Sequence, residues 1–268
     1  MAYTARTVSK RKDVDMTVGS ISGNIIKFAL PLLAGNLFQQ LYNMVDTWVV
    51  GQTENNAAYA AVGSVGPIIN MLIGTFMGLS SGAGVVISQY YGAKNENKVK
   101  SAVHTSIALT LILSVVFTVV GILITPFALN IMLRSNNDAT AIYPHAKKYL
   151  IIYFSGIIGL LIYNMGSGIL RAVGDSRRPF YFIVVSAISN VILDLVFVNA
   201  LGMAADGVAL ATIISQGLSA VLVLITLIRT KSVIRLVWSE LRIEMQTLKN
   251  IIRIGFPAAI QMALTAFS

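Results

Sequence analysis

An all-α polytopic membrane protein is the fold class this sequence predicts, and three observations predict it. Hydrophobic residues fill 56% of the 268 positions and charged residues only 12%, with a mean hydropathy of +0.75, far too apolar for an ordinary soluble domain of this length. The apolar residues fall in successive runs of about 20 or more, the length that crosses a bilayer as a helix. The basic residues lie almost wholly between those runs, so the net charge of +9 reads as a topology signal and not as a nucleic-acid surface. The absence of cysteine excludes disulfides, thiolate metal sites and cysteine nucleophiles.

Residues 1–24 carry Arg6, Lys10, Arg11 and Lys12 beside Asp13 and Asp15, without the short apolar core of a cleavable signal peptide. They read as a cytoplasmic N-terminal segment. Residues 25–50 form the first span, with Pro31 inside it and Asp46 near its far end. Residues 57–92 contain no charged side chain and form the second. Gly74, Gly78 and Gly82 fall at its successive turns, a spacing that admits a neighbouring backbone.

After a polar loop holding Lys94, Glu96, Lys98 and Lys100, residues 101–133 form the third span. His104 is its one titratable group, read as an interfacial or hydrogen-bonded histidine in preference to a proton relay. Residues 134–148 read as a short polar loop and 149–170 as the fourth span, with Asn164 and Ser167 as central polar groups. In the loop that follows, Gly174 and Asp175 supply a turn and Pro179 suits a helix start. Residues 180–200 are the fifth span, whose only charge is Asp194, and 207–228 the sixth, with Thr212, Ser215 and Gln216 near its start.

In residues 232–249, Ile234, Val237, Trp238, Leu241, Met245 and Leu248 recur every three or four positions against Arg235, Glu240, Arg242 and Glu244. That pattern predicts an amphipathic helix on the membrane surface, a cytoplasmic linker over 232–250. A seventh apolar run begins near Ile251 and contains Ser268. The organisation expected is therefore a six-helix transmembrane bundle over 25–231 and the start of a second lobe over 251–268. An internal repeat supports it: Asn24-Ile-Ile-Lys-Phe-Ala-Leu-Pro31 aligns with Asn250-Ile-Ile-Arg-Ile-Gly-Phe-Pro257. Six spans separate the copies, so they share an orientation, as in transporters built from two similar halves. With the N-terminus inside, all but Arg134, Lys147 and Lys148 of the 20 basic residues are cytoplasmic, as the positive-inside rule requires.

The residues that carry chemistry lie in three different spans. Asn190 and Asp194 are four apart and share a helix face, and a carboxylate kept in a span is a functional hypothesis by default. Taking Lys27, Arg178 and Arg229 as the inner boundary, helical rise puts Asp46, Asp194 and Thr212 at depths of about 28, 24 and 26 Å. Asp46, Asn190, Asp194 and Thr212 can therefore line one cavity in the outer half of the membrane. The plainer alternatives are an interfacial acid at Asp46 and interhelical hydrogen bonding at Asn190 and Thr212. Two carboxylates together in a low-dielectric cavity cannot both ionise cheaply, so the pair holds a proton or captures a cation. That is the chemistry of ion-coupled transport.

Several motifs together resemble the multidrug and toxic compound extrusion (MATE) transporters. They are Pro31, Val45-Asp46-Thr47 with Gly51, Gln89-Tyr-Tyr-Gly-Ala93, Leu170-Arg-Ala-Val-Gly-Asp-Ser-Arg-Arg-Pro179, Asn190-Val-Ile-Leu-Asp194 and Gly207-Val-Ala-Leu-Ala-Thr212. The resemblance implies two six-helix lobes with twelve spans in all, this chain being the N-terminal lobe and its C-terminal lobe missing. It implies an antiporter in the plasma membrane exporting small cationic or amphipathic compounds against protons or sodium ions, with no cofactor beyond the coupling ion. It also assigns the family's cation site, and with it any bound sodium, to Asp46, Asn190, Asp194 and Thr212. Pro31 removes a helix hydrogen bond and supplies a hinge in the first span. A lipid or polysaccharide flippase of related fold is the nearest rival. An intramembrane aspartyl protease is the enzyme alternative, but no span places Asp in the Gly-x-Gly-Asp context such proteases carry.

Overall fold

A computed structural model describes residues 21–52, 56–134 and 138–265, and all its regular elements are helical. In chain order they are α1 (Ile21–Gly51), α2 (Asn56–Gly92), α3 (Glu96–Met132), α4 (Ala139–Ser155), α5 (Ile157–Ala172), α6 (Arg177–Asp194), α7 (Ala205–Arg229) and α8 (Met245–Thr265). Helices α2, α3, α6 with its continuation to Ala200, and α7 are long and apolar enough to cross a bilayer, and α4 with α5 adds a fifth, bent span. The 31 residues of α1 reach about 46 Å at 1.5 Å per residue, also enough to cross. Its lower hydropathy comes from Asn36, Gln39, Gln40, Asn43 and Asp46.

Helices α2, α3, α4, α5 and α7 pack against one another at the centre, α6 joins through α7, and α1 lies chiefly along α6. Their core is built of side chains such as Phe76, Phe154, Leu161, Met165 and Leu227, all fully buried. Most of the expected N-terminal segment lies outside the described residues. Its last positions, Ile21 to Asn24, already belong to α1.

Three expectations need correction. The fourth span starts ten residues early and is broken: α4 and α5 meet at Gly156 with a 47° bend. The supposed polar loop is the first half of α4, because Ile142, Ala146, Tyr149, Leu150 and Tyr153 form one buried face. On its exposed side Lys148 pairs with Asp206 at 2.6 Å. The bend is set by packing, since Ile213 of α7 presses so close that a Cβ on residue 156 would lie 2.4 Å from it. The fifth span is not uniform either: after Asp194 it becomes a π-helical turn, Leu195–Ala200.

The third correction concerns residues 232–249, which are not an amphipathic helix. The chain runs as an irregular strap with one 3-10 turn, Trp238–Glu240, and is helical again only from Met245. Ile234 and Leu236 are both buried, an alternation that suits extended chain. Side chains of α3 supply the hydrogen bonds that a helix would have made for itself. His104 Nε2 accepts the Val237 N–H at 3.1 Å, which leaves the proton on Nδ1 to be donated to the Lys100 carbonyl at 2.7 Å. Thr105 Oγ1 accepts the Glu244 N–H at 3.1 Å, and Ser101 donates to the Glu244 carboxylate. His104 is thus a hydrogen-bonded histidine, as expected.

Beyond the strap, α8 lies on α2 along Gly74, Gly78 and Gly82. A Cβ at Gly78 would stand 2.2 Å from Ala259 Cα, and one at Gly82 2.5 Å from Gly255 Cα. The glycine spacing of the second span is thus used for close approach of a backbone.

Candidate functional site

Three helices bring Asp46, Asn190, Asp194 and Thr212 together. Asp46 is carried by α1, Asn190 and Asp194 by the last turns of α6, and Thr212 by α7. All four are buried, Asp194 completely. Thr212 Oγ1 lies 3.4 Å from Asp46 Oδ2 and 2.9 Å from the Val208 carbonyl. Asp46 also sits beside Asp194 and Asn190. The π turn begins directly after Asp194, and such local re-winding is frequent at functional positions.

The hydrogen-bond inventory sets this cluster apart. Asp46 Oδ1, both Asp194 oxygens and both amide atoms of Asn190 are buried with no hydrogen-bond partner. Buried polar atoms are ordinarily paired, and several orphans at one place call for an explanation. The Thr212 hydroxyl has one proton and two acceptors near it. If it gives that proton to Val208, Asp46 can turn its own carboxyl proton onto Thr212 Oγ1; if Asp46 is ionised, Thr212 must choose between them. The donor set, carboxylate, amide oxygen and hydroxyl, is equally suited to a small hard cation.

The structure adds residues that sequence reasoning left out. Tyr42 lies near Asp46 and beside Gln39 and Gln216; Tyr149 is buried within electrostatic range of Asp46 and Asp194; Tyr153 borders Tyr42 and Gln216. The two α4 rings stack with centroids 6.2 Å apart. Tyr42 precedes Asp46 by one helical turn and Gln216 follows Thr212 by one turn, a spacing that marks both for the same faces. Tyr149 and Tyr153 fall inside the expected fourth span but carry no such signal, because nothing local tells which neighbouring helix their face meets. Pro31 lies inside α1, about 22 Å along the helix from Asp46.

A family model named MatE matches residues 31–196, which include Asp46, Asn190 and Asp194. The chain belongs to the MATE family. It is 32% identical over 248 residues to the probable multidrug resistance protein YoeA of Bacillus subtilis, covering 90% of this chain and 53% of YoeA. It is 29% identical over 251 residues to the probable multidrug resistance protein YpnP of the same organism, covering 94% of this chain and 55% of YpnP. A solved crystal structure of a MATE protein in the bent conformation superposes with a TM-score of 0.83 at 26% identity, over 94% of this chain and 55% of that one. This MATE chain therefore spans about half the length of the relatives it matches, and its fold is that of one lobe of the two-lobe architecture.

Proposed function

We propose that this MATE chain is the N-terminal lobe of an ion-coupled exporter of small cationic or amphipathic compounds, a transporter and not an enzyme. A proton or a sodium ion taken up at Asp46, Asn190, Asp194 and Thr212 drives the exchange. The observation that carries this reading is the set of orphaned buried polar atoms. An ion bound there satisfies atoms that otherwise stand in a low-dielectric site without partners.

Binding at Asp46 changes the polar contacts of α1 with α6 and α7. Pro31 has no N–H to give the Lys27 carbonyl, so α1 is weakest there and bends most readily at that point. The chain is read as a plasma-membrane protein, and the distribution of basic residues supports a cytoplasmic N-terminus and, with it, a cluster in the outer half of the bilayer. Names of relatives such as YoeA, a probable multidrug resistance protein, agree with export of foreign compounds.

The test is efflux of a fluorescent cation from vesicles holding the full-length protein, with a pH gradient and a sodium gradient imposed separately. One of the two gradients is expected to drive accumulation against the concentration of the dye. Transport that ignores both gradients overturns the coupling.

A further inference from the structure

His104 is buried, with 3% of its surface exposed, and one of its ring nitrogens reaches from α3 to the strap. Nδ1 gives its hydrogen to the Lys100 carbonyl at 2.7 Å, and Nε2 accepts the Val237 N–H at 3.1 Å. A second group stands at the same nitrogen: the Glu240 carboxylate is 4.0 Å from Nε2. Val237 and Glu240 belong to one turn, which the Glu240 N–H closes on the Val237 carbonyl at 3.0 Å. A single ring nitrogen therefore faces a hydrogen-bond donor and a hydrogen-bond acceptor of the same turn.

It can serve only one of them at a time. A neutral imidazole with its hydrogen on Nδ1 keeps a lone pair on Nε2 for Val237 and has nothing to give Glu240. An imidazolium donates from both nitrogens, so the Val237 N–H meets another N–H and loses its partner, while the Glu240 carboxylate becomes the acceptor. The other charged groups around the ring are Lys100 of α3 and Arg242 of the strap, which line one cavity with His104 and Glu240. The Glu244 carboxylate is already engaged by Ser101 of α3 and by Thr247 of α8.

We propose that His104 is a pH-operated latch on the strap: neutral, it holds the Val237 amide to α3; protonated, it releases that amide and takes Glu240 instead. Protonation of a histidine at an interface is a general means of switching contacts near neutral pH. The bonds on either side do not titrate. Leu236 N–H is held by the Leu227 carbonyl at 3.0 Å and Glu244 N–H by the Thr105 hydroxyl at 3.1 Å, so the change is confined to the turn between them. The strap is the covalent link from α7 to α8, and acid thus loosens the hold of α3 on that link. The proposal concerns this link alone and does not rest on the export reading.

The experiment measures amide hydrogen exchange at single-residue resolution in the full-length protein, at about pH 8 and about pH 5.5, on either side of the ordinary imidazole range. Corrected for the intrinsic chemical rate, the Val237 amide is expected to exchange about tenfold faster at the lower pH, the loss of one hydrogen bond. The Glu244 amide, held by Thr105, should keep its protection at both. In His104→Leu the Val237 amide should exchange fast at both pH values. In Glu240→Gln the acid acceleration should set in at lower pH, because the imidazolium has lost its acceptor. Equal protection of Val237 at the two pH values in the parent overturns the latch. So does an acid acceleration that survives in His104→Leu, or a Glu240→Gln profile identical to the parent's. If His104→Leu loses protection at Glu244 as well, the strap has come away, and the parent's profile and Glu240→Gln still decide.

Discussion

Two buried polar regions of this chain are built on opposite principles. Beneath the strap, every polar group named on α3 has a partner: His104 uses both ring nitrogens, and Thr105 accepts the Glu244 N–H. At the carboxylate cluster, atoms of Asp46, Asn190 and Asp194 are left without any. A satisfied network fixes one structure, whereas an unsatisfied one is costly unless something else binds it. The first region therefore reads as an anchor and the second as a site, although both bury titratable side chains. Burial alone would have classed them together.

The largest effect expected from breaking this contrast is at Asp194. Asp194→Asn in the full-length protein should abolish gradient-driven efflux while leaving helical content and melting temperature near the parent's, because asparagine keeps the shape and one oxygen of the side chain beside Asp46 but cannot ionise. Parent-like efflux in that variant would erase the distinction between site and anchor.

A structural loss should follow from the seam that holds α8 to α2. Gly78→Leu puts side-chain carbon into the Ala259 backbone, and should cost about 3 kcal/mol or more as the helices separate. Gly63→Ala, where no atom lies within 4 Å of the added Cβ, should be neutral or stabilise by up to about 1 kcal/mol through helix propensity. Thermal unfolding in detergent of the two variants side by side measures the difference; equal melting temperatures would refute the packing.

The anchor itself should respond more mildly. Thr105→Val strands the Glu244 N–H and should cost about 1–3 kcal/mol locally. Hydrogen exchange across residues 230–244 should rise while gradient-driven efflux persists. A loss of coupling with no change in exchange would make the strap part of the transport site.

The smallest effect is a pH dependence of the strap. Hydrogen bonds from Ser101 and then Thr247 hold the Glu244 carboxyl below its usual value of 4.5. A depressed value in the folded state means that this stabilisation is present above the unfolded value and is lost as pH falls through the folded one. Exchange at the strap should therefore increase on acidification, and Ser101→Ala should move that increase to higher pH. A strap whose exchange follows only the intrinsic chemical rate at each pH would show that Glu244 contributes nothing.

Much of the candidate site could be read from residues alone, for a physical reason. Lipid makes a charge expensive, which singles out Asp194, and a fixed rise per residue converts sequence position into depth, which groups it with Asp46 and Thr212. The strap departs from its expected helix because the helical period of Ile234, Val237, Trp238 and Leu241 is coincidental. Ile234 and Leu236 are the pair that the fold buries, and only the donors and acceptors waiting on α3 make an irregular path cheaper than a helix.

By itself, then, the sequence determined the helical membrane class, most of the span positions, the close-packing glycines and the four polar residues of the cluster, because each follows from local composition or from distance along one helix. Tertiary structure decided the bend at Gly156, the irregular path of the strap and the tyrosines near Asp46. Each of those depends on which neighbour a helix meets, and no single helix carries that information.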